Sequence, residues 1–134
     1  MQTAAEIEKK LKRLGSAEKA KACAWYFKTG KGQYGYGDIF VGVTVPEQRK
    51  IAKEYKNLAL TEIEKLLKNK IHECRLTALL ILVEQYNPKG APSGKRASEK
   101  MRSKLVRFYL AHTTYINNWD LVDLSAPNIV GDYL

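Results

Sequence analysis

Apolar residues recur at three- to four-residue spacing through most of this chain, and turn chemistry breaks the recurrence at short intervals. Thr3-x-x-Glu6 has the form of a capping box, and Ile7, Leu11 and Leu14 follow at helical spacing until Gly15 stops them. Ser16 can cap a second helix through Ala20, Cys23, Ala24 and Phe27. Residues 28–43 break the period: Gly30, Gly32, Gly35, Gly37 and Gly42 interleave with Tyr34, Tyr36 and Phe40, which predicts an ordered loop with aromatic anchors. Thr44-x-x-Glu47, with Pro46 in the first turn, opens a helix through Ile51, Ala52 and Tyr55, and Thr61-x-x-Glu64 opens another through Ile63, Leu66 and Leu67.

Residues 72–86 are apolar around much of the helical circumference, so this helix is predicted to be central. Two prolines and two glycines mark residues 87–94 as a surface connection. A basic amphipathic helix follows, with Met101, Leu105, Phe108, Tyr109 and His112 on one side, then a helix around Trp119 and a last one started by Ser125-Ala126-Pro127. Only residues 39–43 read as strand-like, so the predicted class is all-α, with short turns joining antiparallel helices. Ile71, Leu76 and Leu79 recur 45 residues later as Ile116, Leu121 and Leu124, a period in the range of HEAT-type helix pairs that stack into a curved superhelix. In that register Cys74 corresponds to Trp119 and Ala78 to Asp123.

A chain of 134 residues has room for one domain, residues 1–134, and carries 23 Lys and Arg against 14 Asp and Glu, a formal charge of +9. A domain this basic points to a polyanionic partner, nucleic acid before an anionic membrane. No apolar run is long enough to span a bilayer and no signal-peptide order opens the chain, so a cytoplasmic protein without a membrane partner is expected. Cys23 and Cys74 sit among apolar neighbours as reduced core thiols, and His72 and His112 stand apart, so neither a metal nor another cofactor is expected. The charge is uneven: residues 89–107 hold seven cations and one anion, Glu99, whereas residues 108–134 hold three aspartates and no Lys or Arg. A basic helix of this kind is often a solvated face and nothing more.

Asn117-Asn118-Trp119-Asp120-Leu121-Val122-Asp123-Leu124 carries the candidate chemistry. On a helix, Trp119 and Asp123 lie one above the other, an aromatic face beside a carboxylate in apolar surroundings. Such a pair can hold a cation, or a transition state that is becoming one. The alternatives remain a core tryptophan, and a carboxylate used as a salt bridge or a helix cap. Asp120, in a first helical turn, is explained by the macrodipole alone.

Four motifs in order, Tyr26-Phe27-Lys28, Phe40-Val41-Gly42-Val43-Thr44-Val45-Pro46-Glu47-Gln48-Arg49, Ile71-His72-Glu73-x-Arg75 and Asn118-Trp119-Asp120-Leu121-Val122-Asp123, resemble the AlkD-like DNA alkylation-repair glycosylases. The resemblance implies a HEAT-like solenoid that cradles duplex DNA and releases positively charged N3- or N7-alkylated purines, with the base still stacked. It makes Asp123 the catalytic carboxylate, Trp119 an aromatic wall against the lesion-bearing nucleotide, and Tyr26 part of the DNA-facing surface. Thr44 stands in a segment near the duplex where some members carry glutamine. Lys28, Arg49 and the basic helix, Arg102 included, are candidate phosphate contacts. An arginine and a second tryptophan of the family would fall beyond residue 134, so an N-terminal portion of a longer protein, self-associating through an open edge, is also expected. Two alternatives stand beside the enzyme: a non-catalytic HEAT-like module that binds nucleic acid or protein, and an inactive fragment of the glycosylase.

Overall fold

The computed structural model describes residues 2–26, 39–86, 99–116, 121, 125 and 129, and for 23–26 and 114 the backbone alone. Six α-helices lie within these: α1 (Ala4–Leu14), α2 (Ala17–Tyr26), α3 (Val45–Glu54), α4 (Leu60–Leu67), α5 (His72–Tyr86) and α6 (Glu99–Ala111), followed by a 3-10 turn, Thr113–Tyr115. The class is all-α. Its one strand-like run comes to a single parallel bridge between Ile39 and Ile71, where the Ile39 amide donates to the Lys70 carbonyl and the His72 amide to the Ile39 carbonyl.

Local chemistry sets the first three helix starts. Thr3 accepts the Glu6 amide at 3.3 Å and Ser16 the Lys19 amide at 3.4 Å, so α1 and α2 begin where hydroxyls satisfy otherwise orphaned donors. Thr44 and Glu47 form a reciprocal capping box with Pro46 in the first turn of α3. Helix α4 departs from expectation. It starts at Leu60, ahead of the expected Thr61 cap, on Ala59, which has no side-chain acceptor; Glu62 accepts the Ala4 amide of α1 at 3.0 Å, and Glu64 faces His112.

Helix α5 is the centre. Leu76, Ala78, Leu79, Ile81 and Leu82 are buried, α3 and α4 pack along it, and α1 and α6 cover it from further round. An all-round apolar helix is stable only when enclosed in this way. Gln48 of α3, itself buried, donates to the Val43 carbonyl at 3.0 Å and accepts from Thr77 of α5 at 3.3 Å, so the polar groups at that seam are paired. Cys74 is a free thiol in this core, pushed up to about 12 by burial.

Two expected core positions are open. Leu14, at the end of α1, is 46% exposed, and Met101 is 42% exposed because α6 buries Leu105, Val106 and Tyr109 and turns its first turn outward. Downstream, Ile116, Leu121, Ser125 and Ile129 are all buried. The Ser125 hydroxyl donates to the Leu121 carbonyl, so it accepts from the Tyr109 hydroxyl at 2.8 Å, tying this segment to α6. Burial also raises the Tyr109 phenol above its ordinary 10.0.

Truncating Leu79, which has no exposed surface, by Leu79→Ala is expected to cost about 2–5 kcal/mol in denaturant unfolding, the range for a buried leucine whose site cannot collapse. A second expectation concerns acid. The Thr44 hydroxyl, the Lys65 ammonium and the His112 ring hold Glu47, Glu62 and Glu64 respectively below the ordinary 4.5. The unfolded chain therefore binds more protons in the acid window, so this contribution is complete above 4.5 and is lost as pH falls through it to the lower folded values. Melting temperatures against pH should show that drop, and Glu62→Gln with Glu64→Gln should flatten it.

Candidate nucleic-acid interface

Residues 41–44 lie where three helix starts converge. The chain crosses the α1–α2 turn at Gly15, where a Cβ would sit 2.3 Å from the Val41 carbonyl oxygen, and at Gly42, where one would sit 2.1 Å from the Ser16 carbonyl oxygen. Gly42 also has φ of 84°, a left-handed conformation that side chains disfavour. Both positions require glycine for space. In return the Ser16 amide donates to the Gly42 carbonyl at 3.2 Å, which anchors the first turn of α2.

Glu73 fastens the same segment to α5. Its carboxylate is 2% exposed and accepts three consecutive backbone amides, Val41 at 3.1 Å, Gly42 at 2.8 Å and Val43 at 3.2 Å. A buried carboxylate without compensation would be expensive, and here the compensation is a concave run of amides. Beside it, the Phe40 and His72 rings stack at 4.6 Å. In the sequence Glu73 stands out only as part of the Ile71-His72-Glu73-x-Arg75 motif. No motif signals an acid that organises a backbone run thirty residues upstream.

The site residues named from sequence distribute unevenly over this frame. Thr44 spends its hydroxyl on the α3 cap, donating to Glu47 at 2.9 Å and accepting the Glu47 amide. Arg49, in the second turn of α3, is exposed and has no ion-pair partner among the described residues. Tyr26 is the last residue of α2, whose start the Gly42 junction anchors. Arg102 is half-buried: it lies on the α6 stripe that leads to Leu105, Val106 and Tyr109, and its Nε is shielded without a hydrogen-bond partner. The exposed cations of that helix are instead Lys100, Lys104 and Arg107.

Lys28, Trp119 and Asp123 lie outside the described residues. Their repeat counterparts are visible, since Cys74 and Ala78 are fully buried on α5, as are the paired landmarks Leu76 and Leu121. Among the described residues no group of three or more His, Cys, Asp or Glu could hold a metal ion, and no helix is long and apolar enough to cross a membrane.

A family model described as DNA alkylation repair enzyme matches residues 7–134. The chain belongs to the DNA alkylation repair enzyme family. No curated protein and no solved structure matches it. Membership makes it an enzyme of DNA alkylation repair with DNA as its substrate, and the match runs through every element described, from α1 past α6.

Glu73→Ala would strand two buried amides and a half-buried one and is expected to cost about 3 kcal/mol or more in equilibrium unfolding, while Glu73→Gln, which keeps one acceptor oxygen, should lose about 1–3 kcal/mol. A loss under about 1 kcal/mol for the alanine variant would mean that water satisfies these amides equally well.

Proposed function

We propose that the chain is a DNA N-glycosylase that hydrolyses the N-glycosidic bond of cationic N3- or N7-alkylated purines in duplex DNA. Family membership over residues 7–134 carries this reading, and the motif at residues 118–123 supplies its chemistry. HEAT-like helix pairs would present Tyr26, Lys28, Thr44 and Arg49 to the duplex. Side-chain cations bind the phosphates without reading sequence.

Alkylation at N3 or N7 puts a positive charge on the purine, so the base departs as a neutral molecule and needs little acid assistance. As the C1′–N bond breaks, its electron pair moves to the base and positive charge collects on the deoxyribose, an oxocarbenium-like transition state. The Asp123 carboxylate stabilises that charge and orients water for attack on C1′, taking up the proton that water loses. Trp119 offers its aromatic face to the cationic nucleotide, a contribution of about 0.5–2 kcal/mol. The base leaves from the stack and needs no base-shaped pocket.

Release of 7-methylguanine from duplex DNA tests this directly. Asp123→Asn should slow release by about 100-fold or more, the scale of losing a preorganised charge stabiliser. Release at the parental rate in Asp123→Asn would overturn the mechanism, and so would equal turnover of an uncharged adduct.

A further inference from the structure

Helix α6 arranges its charge against its own interest. Lys100 and Lys104 are four residues apart and Lys104 and Arg107 three, so like charges are direct neighbours along one face. The cations Lys100, Arg102 and Lys104 also crowd the N-terminal half, and the last turn has none, the reverse of what the helix macrodipole favours. At 100° per residue the buried stripe of Leu105, Val106 and Tyr109 points one way, and Lys100, Ser103, Lys104 and Arg107 point the other.

Elsewhere some lysines are paired, while Lys9, Lys19, Lys21, Lys50 and Lys53 are exposed with no acidic partner among the described residues. Lys10 pairs with Glu54, Lys12 with Glu8, Lys65 with Glu62 and Lys68 with Glu64. The three cations of the α6 face have no acidic partner among the described residues and are exposed. Together with Ser103 they border a recess of about 350 Å³. A local arrangement that opposes both neighbour and dipole preferences is what a surface awaiting an outside anion looks like. From Lys100 to Arg107 the helix advances about 10 Å, which matches about three phosphate-to-phosphate steps of one strand at about 3.4 Å of axis each.

We propose that the outward face of α6, with Lys100, Lys104 and Arg107 around the Ser103 hydroxyl, contacts the phosphate backbone of duplex DNA without reading bases. This rests on the DNA reading above and moves the α6 contact from Arg102, whose Nε is shielded, to the opposite face. The large exposed apolar residues of α6, Met101 and Leu110, are not gathered into one stripe with these cations, so a membrane surface is the poorer fit.

The test is the salt dependence of affinity for lesion-free duplex DNA, in the parent and in Lys100→Ala/Lys104→Ala/Arg107→Ala. Three lost phosphate contacts at about 0.9 each should make the slope of log K against log salt shallower by about 2.7. The melting temperature should hold or rise, because like-charge neighbours are removed. The control is Lys12→Ala/Lys65→Ala/Lys68→Ala, which removes the same charge from lysines paired on their own helices and should leave the slope unchanged. Duplex binding with an unchanged slope in the α6 variant would overturn the proposal and leave the DNA reading intact. An equal drop in the control would overturn it too, since net charge alone would then account for the effect. No salt-dependent binding by the parent would overturn both readings, and loss of binding only to anionic vesicles would assign the face to membrane.

Discussion

One buried carboxylate organises the first half of this protein. Glu73 is enclosed at the start of α5, where three successive amides of residues 41–43 compensate its carboxylate. The geometry works only because Gly42 takes a left-handed turn that leaves no room for a Cβ against Ser16. The acid, the glycine and the α1–α2 turn therefore depend on one another. Through them, the beginnings of α2, α3 and α5 are held in one mutual arrangement.

That arrangement has a functional reading for an alkylation repair enzyme. Tyr26 ends α2 and Arg49 sits in the second turn of α3, so any surface they share is referred back to the clamp at Glu73. Thr44 serves the same frame as the cap that starts α3. The Gln48 bridge from Val43 to Thr77 repeats the principle one turn further on. Glu73, Thr44 and Gln48 place helices, each through a specific partner.

The second half is fastened differently. His112 lies just after α6, its ring stacked on Phe108 at 4.2 Å and its nitrogens 2.7 Å from the Phe108 carbonyl and from Glu64 of α4. Tyr109 reaches Ser125 from the buried side of the same helix. With its inner face tied to the core in this way, α6 is held with Lys100, Lys104 and Arg107 outward. The positive surface is a consequence of which side of the helix is apolar, and the uneven charge along the chain becomes a face only after that packing.

The sequence by itself determined the helical class, the limits of α5, the Thr44 capping box and the motif that names Trp119 and Asp123, because each depends on spacing or on neighbours within one turn. It also pointed to the right family through four motifs in order. Tertiary structure decided the rest. The partners of Glu62 and Glu64 depended on where packing brought the Ala4 amide and His112, and the role of Glu73 depended on a backbone run thirty residues earlier. Arg102 and Lys104 are indistinguishable as letters in a basic stretch, yet burial of Leu105, Val106 and Tyr109 turns one inward and the other to solvent. Periodicity reports what a residue can do within its own helix, whereas long-range pairing is settled by the partner that packing brings within hydrogen-bond reach.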